Sequence, residues 1–279
     1  MISKRKAFIV GIKGFKLSYK EIIFLKKYKP WGVILFSRNI KSINQTQKLT
    51  THIRSIFKDK NYPILIDEEG GRVSRLNKII ETSIFSQKYF GNLYKSNRNI
   101  FLKYYNVYIS QISYLLNLLG INLNSVPSLD VLRDKSHKII GDRSFSTNQK
   151  IVSKLGNYCI NIFQKKRIGT IIKHIPGHGL AKTDSHIDLP TVNSKVKDLY
   201  KIDFYPFKKK SSLFAMTAHI VYKKIDPLKP ATHSKKIINL IRKKIKFKNI
   251  IISDDISMKA LKHSISKNAR LAFIAGCNL

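Results

Sequence analysis

Cysteine is nearly absent from this chain: only Cys159 and Cys277 occur, far apart and with no CxxC or CxxxH neighbour. A disulfide framework needs several spaced cysteines and a zinc ribbon needs paired ones, so neither is indicated and a reducing compartment is expected. Acidic residues are scarce as well, with 16 Asp and Glu against 53 Lys and Arg and a formal net charge of +37. No apolar run approaches the roughly 20 residues of a membrane span. The start, MISKRKAFIVGIKGFKL, is basic like a signal peptide, but Lys13 breaks its apolar run after about six residues. A soluble, cytoplasmic protein with no membrane partner is therefore expected. No GxGxxG or GxxxxGK[ST] follows any candidate strand, which removes the usual motif for a nucleotide site. Internal repeats, low-complexity linkers and heptads are also missing.

The positive balance points on its face to a polyanion. Lysine, however, far outnumbers arginine and is spread along the chain beside isoleucine and asparagine, as in INLIRKKIKFKNIIISDD. A compositional bias produces that pattern, so no specific nucleic-acid partner is expected. Polyanion binding, with affinity falling steeply as salt rises, stays a rival reading.

What is present is an alternation of short apolar runs with helical patterns, the mark of βα units on a parallel sheet. At 279 residues and 43% hydrophobic content the chain suits one large core, and a single domain over 1–279 is expected. The strand candidates are AFIVGI, WGVILFS, PILIDEE, INLNSVPSLDV, GTIIKHI, LFAMTAHIV and NIIISDD. Between them lie helical segments at SYKEIIFLKKY, INQTQKLTTHIRSIF, VYISQISYLLNLLG, QKIVSKLGNYCINIFQKK, LYKIDFYPFKKK and SKKIINLIRKKI, and a long polar stretch from Asn77 to Asn99. Seven strands with six helical connections favour a (β/α)8-type barrel over an open doubly wound sheet. Polar residues stand where the strands end: Asp67 to Glu69, Asp130, Lys173 with His174, His219, and Asp254 with Asp255. In a barrel these ends converge.

Four stretches carry the chemistry. LIDEEGGRVSRL offers acceptors and forked donors around a paired-glycine turn, a set suited to a polyhydroxylated ligand, although a glycine turn with surface ion pairs explains it equally. GDRSFS alone could simply cap the helix after it. NIIISDDISM sets two adjacent carboxylates at a strand end, where they point in opposite directions, so one of the two faces a site. IIKHIPGHGLAKTDSHIDLP gathers three histidines in one loop, and Asp184 beside His186 could fix an imidazole that gives and retrieves a proton near neutral pH. Metal binding by His174, His178 and His186 is the alternative there, though no HExxH helix fixes the spacing.

Taken together, DEEGGRVSRL, GDRSF, KHIPGHG followed by DSH, and SDDISM resemble, in order, the motifs of the glycoside hydrolase family 3 β-N-acetylhexosaminidases, particularly the bacterial single-domain enzymes of peptidoglycan recycling. NSVPSLDV and the final AGCNL extend the similarity over nearly the whole chain. The resemblance implies a (β/α)8 barrel that removes non-reducing terminal β-linked N-acetylglucosamine from small saccharides such as muropeptides, with no cofactor and no metal. It implies Asp254 as nucleophile, His186 as general acid/base and Asp184 as its partner. Asp67, Arg75, Arg143, Lys173 and His174 match positions that hold the sugar, and Asp255 stands behind Asp254. One departure is visible: the sequence reaches only AGCNL, where the resemblance would continue into an eighth strand and helix. A barrel truncated there is expected to expose sheet edges, to lose stability and to favour an oligomer. A degraded, merely sugar-binding barrel is the further alternative.

Overall fold

Isoleucine-rich runs form the strands and amphipathic stretches the helices, in a computed structural model that describes residues 5–133, 140–181 and 188–279. The strands are β1 (Lys6–Gly11), β2 (Pro30–Leu35), β3 (Ile64–Ile66), β4 (Leu123–Asn124), β5 (Gly169–Ile175), β6 (Thr191–Val192), β7 (Phe214–Thr217), β8 (Val221–Tyr222) and β9 (Ile250–Ile252). Seven of them form one parallel sheet in the order β1-β2-β3-β4-β5-β7-β9, while β6 and β8 make a separate short ladder. The helices are α1 (Tyr19–Tyr28), α2 (Ile43–Phe57), α3 (Gln87–Ser96), α4 (Arg98–Leu118), α5 (Gln149–Lys165), α6 (Val196–Lys201), α7 (Lys235–Leu240) and α8 (Ile265–Ala275). Local caps set their starts: in α1, Ser18 and Glu21 bond reciprocally as a capping box, and Ser42, Ser86 and Asn148 accept the first free N–H groups of α2, α3 and α5.

Alternation along each strand splits the core into two layers. Ile64 and Ile66 face outward into the large cluster shared with Leu49 and Ile53 of α2. Leu65 faces inward with Leu123, Ile171, Phe214 and Ile252, one from each of five strands. The ring of Trp31 in β2 lies 5.4 Å from that of Phe214 in β7, although three strands separate them in the sheet. Only a curled sheet brings those rings together, and the filled interior is that of a barrel rather than an open doubly wound sheet. Among the described residues β1 and β9 do not pair. Instead the N–H groups of Asn278 and Leu279 donate to the Ile251 carbonyl and the Ser253 N–H donates to the Leu279 carbonyl, so the last two residues run along the outer edge of β9.

The architecture follows the sequence reading, with four differences. The polar stretch from Asn77 contains α3, whose buried face is Phe90, Gly91 and Tyr94. The pattern at 107–120 is the second half of a longer helix, α4. Pro206 divides LYKIDFYPFKKK, leaving the six-residue α6 and a single 3₁₀ turn. Finally, α8 follows β9, where no helix was anticipated. No helix among the described residues is long and apolar enough to cross a membrane.

Candidate active site

The loop after β3 sends three consecutive carboxylates to three different places, two of them meeting at Lys173. Asp67 accepts from Lys173 Nζ at 2.9 Å, and the Arg75 guanidinium stands 3.9 Å from its other oxygen. Glu68 turns away and is buried, accepting from the N–H groups of Arg75 (2.7 Å) and Leu76 (3.1 Å) and from the hydroxyls of Ser74 and Thr82. Burial raises its pKa above the ordinary carboxyl value even against those bonds. Its task is to fold the loop back so that Arg75 reaches the site. Gly70 and Gly71 make the turn with positive φ, and a Cβ on Gly70 would stand 2.4 Å from the Phe85 carbonyl oxygen.

Glu69 goes inward, and its side chain is 1% exposed. It accepts from Arg143 Nε and Nη2, both at 2.9 Å, and lies 2.6 Å from Lys173 Nζ. Burial works to raise its pKa, but Arg143 and Lys173 more than offset that and hold it well below the usual carboxylate range. The two cations are thereby fixed as a fork and a point charge on one wall. Arg143 owes its position to the helix that composition hid. Gln87 of α3 donates to the Arg143 carbonyl, and α3 packs so tightly on the GDRSF turn that a Cβ on Gly91 would lie 1.7 Å from the Phe145 carbonyl oxygen.

Beyond Ile172 the pairing of β5 with β7 shifts register, and Lys173 and His174 both line the cavity. Asp130, fully buried, accepts from the N–H of His178 at 2.6 Å and lies 2.7 Å from His174 Nδ1. Burial opposes its ionisation, yet His174 and His178 bring its pKa down to about 2. With Nδ1 donating to that carboxylate, a neutral His174 presents Nε2 as an acceptor, 3.4 Å from Arg143 Nη2. His178 is buried with no partner on Nδ1 among the described residues, and burial together with the neighbouring His174 lowers its pKa to about 4.

Asp254 follows β9 and stands half-open to the same cavity. Its Oδ1 accepts from the N–H of Asp255 at 2.8 Å, whereas the Asp255 carboxylate turns back to Ser257. The adjacent pair thus diverges, with Asp254 on the inner side. His219 donates from Nε2 to the Asp255 carbonyl (3.0 Å) and accepts from Thr232 at Nδ1 (2.7 Å), which holds this turn in place. Burial tends to raise the Asp254 pKa; His219, His174, the Asp255 N–H and Lys173 together leave it below the ordinary carboxyl value. Burial also lowers the His219 pKa, so near neutral pH that ring is uncharged and the Asp255 N–H and Lys173 sustain the Asp254 anion.

These side chains share one cavity of about 760 Å³ at the C-terminal end of the sheet, lined by Asp67, Arg75, Arg143, Lys173, His174 and Asp254 and floored by Leu65 and Met216. It offers a charged wall, a hydrogen-bonding rim and an ionised carboxylate, a combination suited to a small polar ligand. Asp184 and His186 lie outside the described residues, as does the tip of their loop. No group of three or more His, Cys, Asp or Glu among the described residues is arranged to hold a metal ion. Sequence reasoning counted Glu69, Asp130 and His219 among the converging strand-end residues and His178 in the metal alternative, but gave none of them the task of holding the residues that line the cavity. For Glu69, Asp130 and His219 the position at strand ends was the available signal.

The sequence matches the glycosyl hydrolase family 3 N-terminal domain over residues 8–279. It is 30% identical to a beta-hexosaminidase of Nitrosomonas eutropha, over 97% of this chain and 78% of that protein. Among solved structures it is similar to NagZ of Neisseria gonorrhoeae in complex with N-trifluoroacetyl-D-glucosamine, with TM-score 0.86, 29% identity, and coverage of 99% of this chain and 80% of that one. A family 3 beta-N-acetylglucosaminidase from Paenibacillus gives the same TM-score of 0.86 at 27% identity, with 98% of this chain covering 52% of a longer one. With nearly its whole length matched and the described polar residues of its motifs gathered at one end of the barrel, the chain belongs to glycosyl hydrolase family 3.

Proposed function

We propose that this glycosidase is a retaining β-N-acetylhexosaminidase, a single barrel that releases terminal β-linked N-acetylglucosamine from saccharide fragments of the muropeptide class. The observation that carries the reading is Asp254: an ionised carboxylate at the rim of the cavity whose opposite wall is the Lys173, Asp67 and Arg143 network. The names of the beta-hexosaminidase relatives and of the sugar-bound NagZ support the substrate class.

In this reading Asp67, Arg75, Lys173, Arg143 and His174 bind the hydroxyl and acetamido groups, and a sugar held there places its anomeric carbon before Asp254. An Asp254 oxygen attacks that carbon as the bond to the leaving oxygen breaks, and His186, supported by Asp184, gives that oxygen its proton. The bond formed joins the sugar to Asp254. Water then attacks the same carbon, losing its proton to His186, and the carboxylate departs. Retaining enzymes commonly use two carboxylates about 5–5.5 Å apart, so a histidine as acid/base is a departure from that arrangement. A low pKa suits Asp254 to attack rather than to proton donation.

A fluorinated N-acetylglucosaminide that traps the covalent intermediate tests this. Peptide mapping is expected to place the label on Asp254, and Asp254→Ala to lower kcat on the order of 10⁴-fold with the fold intact. A label on Asp255 or Glu69, or no hydrolysis of either an aryl N-acetylglucosaminide or a muropeptide by the wild type, would overturn the assignment.

A further inference from the structure

Because the seven strands are parallel, the turns that enter them share one pole of the barrel, opposite the cavity. Those turns hold all five non-glycine residues with positive φ among the described residues, and each is a cation: Lys29 before β2, Lys58 before β3, Arg167 before β5, Lys209 before β7 and Lys246 before β9. This conformation disfavours side chains with a Cβ. Glycine escapes the strain, and asparagine tolerates it better than most residues. Asparagine is plentiful in this chain, so a bias towards Lys, Asn and Ile would have offered the easier residue, yet none of the five positions carries it.

The charge is segregated as well. Each of these five turns, with the helix end leading into it, carries two or more cations, against Asp59, bonded to Arg5, and the buried Asp203 in the segment before β7. The site carboxylates Asp67, Glu69, Asp130 and Asp254 lie at the other pole. Complementing a helix dipole explains one cation in a last turn, not this number. Apolar tips stand among the lysines: Leu213, 57% exposed, in the turn before β7, and Tyr28 beside Lys29.

We propose that this pole docks the protein on an anionic lipid surface, leaving the cavity facing the aqueous side. A ring of turn tips suits a plane. Its positive-φ residues are lysines apart from Arg167, point charges without the guanidinium forks that read phosphate and base edges, which favours a lipid surface over nucleic acid. Lysines beside exposed apolar residues are the pattern of peripheral membrane attachment.

The test is flotation with phosphatidylcholine vesicles containing about a quarter phosphatidylglycerol, at near-physiological salt, against phosphatidylcholine alone. The variant Lys29→Asn, Lys58→Asn, Arg167→Asn, Lys209→Asn, Lys246→Asn removes five charges with a residue that tolerates positive φ, so the fold and hydrolytic activity are expected to persist. At roughly five-fold per surface lysine, less for those standing back from the plane, its vesicle affinity should fall at least about 100-fold. A control carrying Gln at Lys16, Lys41, Lys150, Lys259 and Lys262, exposed residues near the opposite pole, has the same net charge and should bind within a few-fold of wild type. Equal loss in the two variants, no binding by wild type, or tighter binding to duplex RNA than to the vesicles at the same salt overturns the proposal.

Discussion

Replacing Glu69 by Gln should cost more than its place in a glycine-turn motif suggests. The side chain is 1% exposed and bridges Arg143 with two bonds at 2.9 Å and Lys173 with a contact of 2.6 Å. The amide keeps the shape but withdraws the charge, so Arg143 is left buried beside His174 and Lys173 retains Asp67 alone. Breaking a buried, hydrogen-bonded ion pair by removing one partner costs about 3–5 kcal/mol. For a chain of this size about 2 °C of Tm accompanies each kcal/mol, so melting should fall by roughly 6–10 °C. The effect has a pH signature. Because the folded pKa of Glu69 lies below its ordinary value near 4.3, the wild-type advantage is complete above about pH 5 and shrinks as pH falls towards the folded value. Urea titrations of both proteins at several pH values between about 3.5 and 8 would measure this. Turnover should fall too, since the two cations lose their common anchor. A loss under 1 kcal/mol with unchanged kcat/KM, or a gap that widens as the solution is acidified, refutes the reasoning.

Asp203 should behave in the opposite sense: it is buried, no hydrogen bond from the described residues satisfies either oxygen, and Arg133 is 3.8 Å away. Burial raises its pKa from 3.8 to about 6, so the fold loses stability between about pH 4 and 6, and Asp203→Asn should remove that slope and stabilise the protein at pH 8 by up to about 3 kcal/mol, measured by urea titration. Gly91→Ala should push α3 off the Phe145 carbonyl and, through Arg143, raise KM several-fold more than it lowers kcat; an unchanged KM contradicts the role given to α3. If His186 is the acid, His186→Ala should slow substrates with poor leaving groups far more than activated aryl glycosides, with Asp184→Asn following more mildly and with an altered pH profile. Equal loss across leaving groups would count against it.

The barrel was legible because each strand is a short isoleucine-rich run closed by polar residues, and parallel strands bring such ends together without further information. That is why Asp67, Lys173 and Asp254, distant in sequence, were expected on one cavity and line it. Their supports were not legible. Glu69 and Arg143 are 74 positions apart and Asp130 and His174 are 44 apart, and no local period encodes such pairs. The helix α3 was hidden because its sequence, QKYFGNLYKS, is polar on average and declares itself only through the face it packs on the GDRSF turn. The grouping of five cations was hidden for a related reason: Lys29, Lys58, Arg167, Lys209 and Lys246 are scattered along the chain, and only the parallel order of the strands brings their turns to one pole.

The edge of β9 has a practical meaning for anyone who handles this protein. Leu279 takes the Ser253 N–H at 2.9 Å, and the Asn278 side chain takes the Ile251 N–H at 2.8 Å while itself held by Arg242 at 2.9 Å. The backbone next to Asp254 is therefore clamped from outside by Asn278 and Leu279, and a disturbance of either is felt one residue from that carboxylate. Substitutions at Asn278 or Leu279 should therefore read out in kcat before they read out in yield.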